Sequence, residues 1–292
     1  MRDVVAEPVR SQRRTGLARF VRDFVKRRNA VVGGTVLLIV VLVSLFPGLV
    51  APYDPIRMNP AVALQPPSAE HLFGTDLFGR DVFSRVVHGG GRSLQLGVVA
   101  VVIAVLLGGT LGLAAGYYSG RTDAVIMRFV DILLAFPSIL LALLVVYVLG
   151  AGTLNLMIAV GISAAPGYAR IVRGSTLSIR EQAFVEAARA LGVRDVRLIL
   201  RHVTPNILAP VIVMATLGLA SAILVASALS FLGFGASPPS PEWGVMLNEG
   251  RQLLTRAWWL STFPGVAIMV TVLGCNLLGD GIQDLSDPRM YR

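Results

Sequence analysis

The sequence lacks most of the residues that enzymes use for chemistry. It has one cysteine, Cys275, one lysine, Lys26, and three histidines that lie far apart in the chain. A single cysteine excludes an internal disulfide and a zinc site built from cysteines. Because Lys26 stands in a Val-Lys-Arg context, the chain has no Gly-x-x-x-x-Gly-Lys-Ser/Thr loop for nucleotide phosphates. No acid pair or Ser/His/Asp order stands out, so we expect no catalytic residue, no bound cofactor and no metal.

Charged residues are also scarce, at 15% of the 292 residues, whereas hydrophobic residues make up 54%. A soluble domain carries about 25% charged residues, so this composition indicates a membrane protein. The formal net charge of +9 raises the question of a nucleic-acid partner. The basic residues lie between long uncharged runs rather than across one water-facing surface, which argues against nucleic acid and for contact with lipid.

Uncharged runs that could cross a bilayer, each needing about 20 helical residues, predict six transmembrane helices. A run of 38 residues from Ile132 to Ala169 is too long for one span, and Gly150-Ala151-Gly152 divides it. The predicted spans are 30–50, 93–119, 125–149, 153–172, 207–231 and 259–279. The segments between and beyond them are predicted as a basic N-terminal segment (1–29), two external loops (51–92 and 232–258), a cytoplasmic loop (173–206) and a cytoplasmic tail (280–292).

The distribution of lysine and arginine predicts the orientation. The segments on the side of both termini carry 20 of the 26 basic residues, and those on the other side carry 6. The positive-inside rule therefore places both termini in the cytoplasm. Apolar residues at positions 17, 20, 21, 24 and 25, with basic residues between them, favour an amphipathic helix along the inner leaflet over a disordered basic tail. We expect the first span to be uncleaved, because its apolar run exceeds that of a signal peptide.

Small residues recur at helical spacing in two predicted spans, at Gly108, Gly112 and Gly116 and again from Gly218 to Ser230. Such stripes let helix backbones approach closely in lipid, and we expect packing within the chain rather than a ligand surface. Carriers driven by protons or sodium usually place ionisable groups or broken helices at the midplane. No charged residue is expected there, so we expect the energy for any transport to come from another subunit.

The predicted cytoplasmic loop carries the most specific pattern. Ser178 and Glu181 have the spacing of a capping box, which predicts a helix Ile179–Leu191 with Gly192 as its left-handed C′ residue. This helix presents a shallow face rich in alanine, and a second helix with apolar residues on one side follows. Thr204 and Pro205 are predicted as N-cap and first residue of the fifth span. The pattern fits both a helix resting on its own bundle and a knob that docks into a partner.

Four sequence blocks resemble one family. Glu186-Ala-Ala-x-x-x-Gly192, continuing to Pro205, resembles the EAA loop of permease subunits in ATP-binding-cassette (ABC) importers. The other blocks begin at Pro66, at Leu229 and at Asn276 and contain Gly-Thr-Asp-x-x-Gly-Arg-Asp, Glu-Trp-Gly and Gly-Asp-Gly. Together they resemble the C-type permease subunits of dipeptide, oligopeptide and nickel importers, over residues 15–292. Thr204 departs from the Leu of the general family pattern.

This resemblance implies an all-α integral membrane protein with the type I ABC importer permease fold, multi-pass in the inner or plasma membrane of a prokaryote. It implies that the helix Ile179–Leu191 couples to a cytoplasmic ATPase, with ATP and Mg²⁺ bound by the partner. The implied partners are a homologous B-type permease subunit, two ABC ATPase subunits or domains, an extracytoplasmic substrate-binding protein and membrane lipid. The implied coupling residues are Phe184, Glu186, Ala187, Ala188, Leu191, Gly192 and Pro205.

The first external loop is predicted to carry a structural motif in which Asp76, Arg80 and Asp81 form an ion-paired knot. A structural turn is favoured over a ligand site, because glycines and paired charges suit turns. The residues of this motif are Gly74, Thr75, Asp76, Gly79, Arg80 and Asp81.

The function that the resemblance implies is import of di- or oligopeptides, with nickel or another small solute such as glutathione as the alternative substrate. An ATP-independent secondary carrier or channel is the alternative from a different class of protein. The sequence assigns no substrate path.

Overall fold

The computed structural model describes residues 24, 25 and 27–286, and within them the chain is helical, with an isolated bridge between Thr75 and Asp81 as its only β pairing. Single helical turns occur at Pro47–Val50 and Asp195–Leu198, and 3₁₀ turns at Pro60–Val62 and Arg251–Leu253. The longer helices are α1 (Arg28–Leu45), α2 (Val82–Tyr118), α3 (Gly120–Leu134), α4 (Ser138–Leu149), α5 (Thr153–Arg180), α6 (Ala183–Ala190), α7 (Thr204–Phe231), α8 (Trp243–Gly250) and α9 (Trp259–Ser286).

Among the residues that the structure describes, five helical segments are long and apolar enough to cross a membrane, and the bent pair α3–α4 makes a sixth if it counts as one span. The predicted all-α membrane fold is therefore confirmed, with five to six apolar spans where six were predicted. Several helices extend beyond the predicted spans, since those bounds were set where charged residues begin and a helix continues into water. The predicted amphipathic helix lies outside the described residues except for Phe24 and Val25.

The centre of the bundle is the packing of α2 against α5, which depends on the predicted glycine stripe. A Cβ at Gly108 would lie 2.2 Å from the Ala165 carbonyl oxygen, and one at Gly112 would lie 2.3 Å from that of Ala169. These distances are far below van der Waals contact, so the two backbones touch directly as small-residue interfaces in membranes allow. The stripe packs within the chain, as predicted.

The predicted span 125–149 is not one straight helix. Helix α3 ends at Leu134, α4 begins at Ser138, and their axes differ by 93°. Pro137 explains the break, because proline lacks an N–H and keeps the residue before it, Phe136, out of the helical region.

Two predicted helix starts near the cytoplasmic loop are wrong. Ser178 does not begin a helix, because α5 continues through it to Arg180 and α6 starts only at Ala183. No proline or cap interrupts 173–178, so the intrahelical hydrogen bonds of α5 outcompete the predicted capping box. Thr204 is not an N-cap either, since the helical path runs from Asp195 to Phe231 through a π turn at Ile199–Val203. In that turn the Thr204 N–H donates to the Ile199 carbonyl, and the helix continues through Pro205.

Candidate functional site

The loop 173–206, which the sequence predicts to be cytoplasmic, presents one face of α6 away from the bundle. Phe184, Ala187 and Leu191 are exposed and follow the i, i+3, i+7 spacing of a single helix face. Glu186 and Pro205 are exposed as well. Helix α6 is therefore an apolar ridge with an acidic neighbour, and a ridge of this kind fits a groove in another protein.

Ala188 does not share that face. It was predicted as a contact residue, but it is buried together with Val185, and it packs in a cluster with Leu198 and Val203. Helical spacing places Ala187 and Ala188 on neighbouring parts of the helix surface. It does not predict which of the two residues faces the bundle. We assign Val185 and Ala188 the role of anchors that hold α6 to its own chain.

Gly192 ends α6 as predicted. Its φ of +77° is in the left-handed region, its N–H donates to the Arg189 carbonyl at 3.0 Å, and the Val193 N–H donates to the Ala188 carbonyl at 3.2 Å. These two bonds form a Schellman motif, which glycine occupies without the strain of a Cβ. No other atom lies within 4 Å of the position a Cβ would take, so the backbone angle alone requires glycine here.

A set of polar contacts that the sequence did not predict ties this loop to the C-terminal end of α2. The Tyr117 hydroxyl donates to Asp195 Oδ1 at 2.6 Å, and Arg180 Nη1 donates to the Tyr117 carbonyl at 2.9 Å. The Arg189 guanidinium lies 5.9 Å from the Tyr117 ring centroid. Tyr117 therefore joins three parts of the loop to α2. The signal available in sequence was a tyrosine pair at the end of an apolar run, which equally marks a membrane interface.

At the other end of the bundle, the first predicted external loop holds a buried ion network. Asp76 Oδ2 accepts from Arg80 Nε at 2.5 Å, and its Oδ1 accepts from the backbone N–H groups of Phe78 and Arg80, both at 2.9 Å. Arg85 Nη1 lies 3.5 Å from Asp76 Oδ2. Arg80 and Arg85 are 2% and 1% exposed, so both guanidinium groups depend on protein carboxylates for compensation.

Asp81 takes a different partner from the one predicted. Its Oδ1 lies 2.9 Å from His71 Nδ1, and its Oδ2 accepts from the Ser84 N–H at 2.7 Å, which caps the start of α2. Asp76 and Arg80 thus pair with each other as the sequence suggested, whereas Asp81 joins a separate His71 pair. Thr75 closes the loop beside them, because its hydroxyl donates to the Val62 carbonyl at 2.5 Å and accepts from the Gln65 N–H at 2.9 Å.

Glu249 on α8 completes the network. Its Oε2 accepts from Arg85 Nη2 at 2.7 Å and lies 3.2 Å from Arg80 Nη2. Burial lowers the pKa of Arg85, and the Glu249 carboxylate opposes that shift. The contact joins the two external loops across more than 160 residues of sequence, and nothing in the local pattern could have predicted it.

Gly79 shows how tightly this loop is folded. Its φ is +69°, and a Cβ there would lie 1.8 Å from the Asn59 carbonyl oxygen. Gly74 also has a positive φ, +72°, and its Cβ would lie 2.6 Å from the Gln65 carbonyl oxygen. Both glycines of the predicted motif are therefore required by backbone angle and by space.

Glu242 is a second buried acid in the external region, at the N-cap of α8. Its Oε1 accepts from the Gly244 N–H at 2.9 Å, and the residue is 1% exposed. Burial raises the pKa of Glu242 above its usual 4.5, and the nearby Ser230 hydroxyl and backbone N–H groups of Gly244 and Val245 partly offset the shift. A raised pKa in the folded state means that folding favours the protonated acid.

The raised pKa of Glu242 predicts how the stability of a Glu242→Gln variant, compared with the wild type, depends on pH. The stability that the protonated acid contributes is present below the unfolded pKa and is lost as pH rises through the folded pKa. Glutamine stays neutral and keeps an oxygen for the Gly244 N–H. We therefore expect the variant to melt at a higher temperature than the wild type at about pH 8, with the difference shrinking toward about pH 4. Melting of the purified protein at both pH values tests this, and a difference independent of pH would contradict the assignment.

The bundle thus carries an anchored apolar ridge at one end and a buried ion network at the other, and these features fit a permease subunit of an importer. The chain belongs to the family of binding-protein-dependent transport system inner membrane components, whose model matches residues 108–292. A second model, the N-terminal transmembrane domain of oligopeptide transport permease C, matches residues 16–67. The protein is accordingly a multi-pass inner-membrane protein of bacteria, and its family implies ATPase and binding-protein partners.

Its relatives share most of its length. The dipeptide transport system permease protein DppC of Alkalihalophilus pseudofirmus is 49% identical over 91% of this chain and 87% of its own. The di/tripeptide permease DppC of Pseudomonas aeruginosa is 43% identical over 94% and 92%. The glutathione permease GsiD of Pectobacterium atrosepticum is 41% identical over 95% and 92%.

Solved structures share the fold at low identity. The MetNI methionine ABC transporter in an inward-facing conformation matches with a TM-score of 0.56 and 18% identity, covering 70% of this chain and 97% of that chain. An amino acid ABC transporter solved with histidines matches with a TM-score of 0.52 and 17% identity, covering 68% and 92%.

Proposed function

We propose that this chain is a permease subunit of an ATP-driven importer of di- or oligopeptides, which forms half of the translocation pathway. The observation that carries the coupling role is the exposed ridge Phe184–Ala187–Leu191 on a loop that is anchored to the bundle. The names of the relatives carry the substrate class, since dipeptide permeases are 43% and 49% identical to it.

In this mechanism a cytoplasmic ATPase subunit holds the ridge of α6. Closure of two ATPases on ATP displaces α6, and the displacement must reach the spans without being absorbed by the loop. Val185 and Ala188 pack inward, and the hydrogen bond from Tyr117 to Asp195 joins the loop to α2, so the loop moves as part of the bundle. The motion then switches the bundle between inward-open and outward-open states.

The chain itself takes no part in hydrolysis in this proposal. It has no P-loop, and ATP and Mg²⁺ are bound by the partners. A homologous B-type permease subunit supplies the other half of the pathway. The external loops 51–92 and 232–258, which Glu249 joins, face the substrate-binding protein, and both termini lie in the cytoplasm.

A second candidate substrate is glutathione, because glutathione permeases are 41% and 45% identical to the chain. Uptake of labelled dipeptide, pentapeptide, glutathione and nickel by a deletion strain carrying the complete importer separates the candidates. We expect dipeptide uptake that requires the ATPase subunits. Uptake by this chain without any ATPase would indicate a secondary carrier or channel and would contradict the proposal.

Gly192→Val is expected to abolish import while the protein still inserts in the membrane. Valine is strongly disfavoured at φ +77°, so the Schellman turn must open and α6 loses its fixed direction. Gly192→Asn is the matched control, because asparagine tolerates the left-handed region and should retain most uptake. Labelled-peptide uptake, normalised to the amount of protein in the membrane, measures both. Uptake near the wild-type level with valine would refute the role of this turn.

A further inference from the structure

Tyr117, near the C-terminal end of α2, contacts three parts of the loop 173–206. We infer that Tyr117 is a brace that keeps α6 from pivoting on the bundle, and that it is therefore a positioning residue for coupling. The inference rests on the proposed function and names the residue that keeps the loop rigid during it. Tyr117 lies outside the four sequence blocks that resemble the family, and it is not among the predicted coupling residues.

Helix α6 is joined to the rest of the chain by two short links that are not α-helical. Glu181 and Gln182 separate it from α5, and residues 191–194 separate it from the helical turn that begins at Asp195. A few residues at the ends of helices are enough to absorb a large backbone rotation. An ATPase that moves the ridge would therefore rotate α6 about these links, unless contacts with the bundle fix the angle of the helix.

Tyr117 makes contacts on both sides of α6. Beyond the second link, Asp195 Oδ1 accepts from the Tyr117 hydroxyl at 2.6 Å. Before the first link, Arg180 Nη1 donates to the Tyr117 and Gly116 carbonyls at 2.9 and 3.4 Å. On α6 itself, the Arg189 guanidinium lies 5.9 Å from the Tyr117 ring centroid. One residue of α2 thus holds the helix and the chain on either side of it.

The position of Tyr117 is itself fixed. Its side chain is buried in an apolar cluster with Ala188 and Leu198. One turn of α2 away, a Cβ at Gly116 would lie 2.8 Å from the Arg173 carbonyl oxygen, so α2 and α5 are in close contact at this end. Apolar contacts have no preferred direction, whereas hydrogen bonds weaken steeply when donor and acceptor leave alignment. The apolar cluster therefore holds the loop near α2, and the polar contacts of Tyr117 set the angle of α6.

Tyr117→Phe tests the brace, because it removes the hydroxyl and keeps the ring and the backbone carbonyl. In vesicles with the complete importer and its binding protein, labelled-peptide uptake and ATP hydrolysis are measured in parallel. We expect the peptide taken up per ATP hydrolysed to fall at least about fivefold, since the bond that is lost has a charged acceptor. Tyr118→Phe is the matched control, because Tyr118 is the next residue of α2 and is 53% exposed. It should leave the ratio within about 1.5-fold of the wild type.

The ratio separates bracing from a purely structural role. A variant that only destabilises the bundle lowers uptake and ATP hydrolysis together, because less importer is assembled, and leaves their ratio unchanged. A Tyr117→Phe importer that assembles and keeps the wild-type ratio overturns the inference.

Asp195 provides a second measurement for the case in which Tyr117→Phe fails to assemble. Asp195 is exposed, so its replacement opens no cavity. Asp195→Asn keeps an oxygen that accepts from the Tyr117 hydroxyl and should stay within about twofold of the wild-type ratio, whereas Asp195→Ala should lower the ratio at least about fivefold. Equal ratios in these two variants overturn the inference. Uptake of glutathione instead of peptide, with the same loss in Asp195→Ala, contradicts the proposed substrate and leaves the brace in place. Uptake without any ATPase contradicts both.

Discussion

Gly108→Leu is expected to prevent the bundle from assembling, and Gly109→Leu is expected to be tolerated. A Cβ at Gly108 would lie 2.2 Å from the Ala165 carbonyl oxygen and 2.7 Å from Tyr168 Cβ, so leucine must drive α2 and α5 apart. Overpacking that shifts the backbone costs about 1–3 kcal/mol and occasionally more, and a contact this close is expected to reach the upper end of that range. At Gly109 nothing lies within 4 Å of a Cβ, so the same side chain points into free space.

The pair isolates packing from composition, since the two variants have the same residues in the same helix. The amount of protein in the membrane and the melting temperature of the purified protein measure the effect. We expect Gly108→Leu to be degraded or to melt well below the wild type, with Gly109→Leu close to it. Two variants of equal stability would mean that the contact between α2 and α5 is not as close as described.

Asp76→Asn is expected to have the second large effect. The Asp76 carboxylate compensates Arg80 directly and lies 3.5 Å from Arg85, and both guanidinium groups are almost fully buried. Removing one partner of a buried pair leaves an uncompensated charge and costs about 3–5 kcal/mol. The remaining carboxylate, Glu249, is shared between the two arginines and is already engaged.

Asp54→Asn is the matched control in the same external loop. Asp54 is exposed, and its Oδ1 accepts from the Ile56 and Arg57 N–H groups at 2.8 and 3.2 Å, bonds that an amide oxygen keeps. We expect it to change stability by less than about 0.5 kcal/mol. The melting temperatures of the two purified variants, each compared with the wild type, test this prediction. An Asp76→Asn protein as stable as Asp54→Asn would show that the network contributes nothing net.

The spans were predictable because their signal is local. A run of uncharged residues must lie in lipid or in a core, and the span 207–231 required only the absence of charge and a turn at Gly233 to be placed within α7. The glycine stripe in α2 was predictable for the same reason, since small residues every four positions serve close helix packing and little else.

Helix ends were harder to predict from the sequence, because several residues near each end can start or stop a helix. Gly192 was predicted as the end of α6, since a left-handed turn strongly selects glycine. Ser178 carried a capping pattern yet lies inside α5, because a capping residue begins a helix only where the preceding helix has stopped. Pro137 broke the third span at a position where the apolar run alone suggested continuity.

The tertiary contacts could not be predicted from the sequence. Glu249 is a lone acid in α8, and nothing near it in the chain indicates that Arg80 and Arg85 lie within 3.3 Å of its oxygens. Tyr117 and Asp195 likewise meet only because α2 and the cytoplasmic loop fold together. Ala188 shows the same limit in α6, since helical spacing defines a stripe and the packing of the bundle decides which edge of that stripe is covered.

The most direct test of the account is site-specific cross-linking from α6 in intact cells. Ala187 is exposed on the ridge, and its neighbour Ala188 is buried against the chain's own bundle. A photo-reactive residue at position 187 should capture the importer's ATPase subunit, and the same residue at position 188 should capture it far less. Capture of no ATPase from position 187, in cells that import peptide normally, would contradict the claim that this ridge couples ATP hydrolysis to transport.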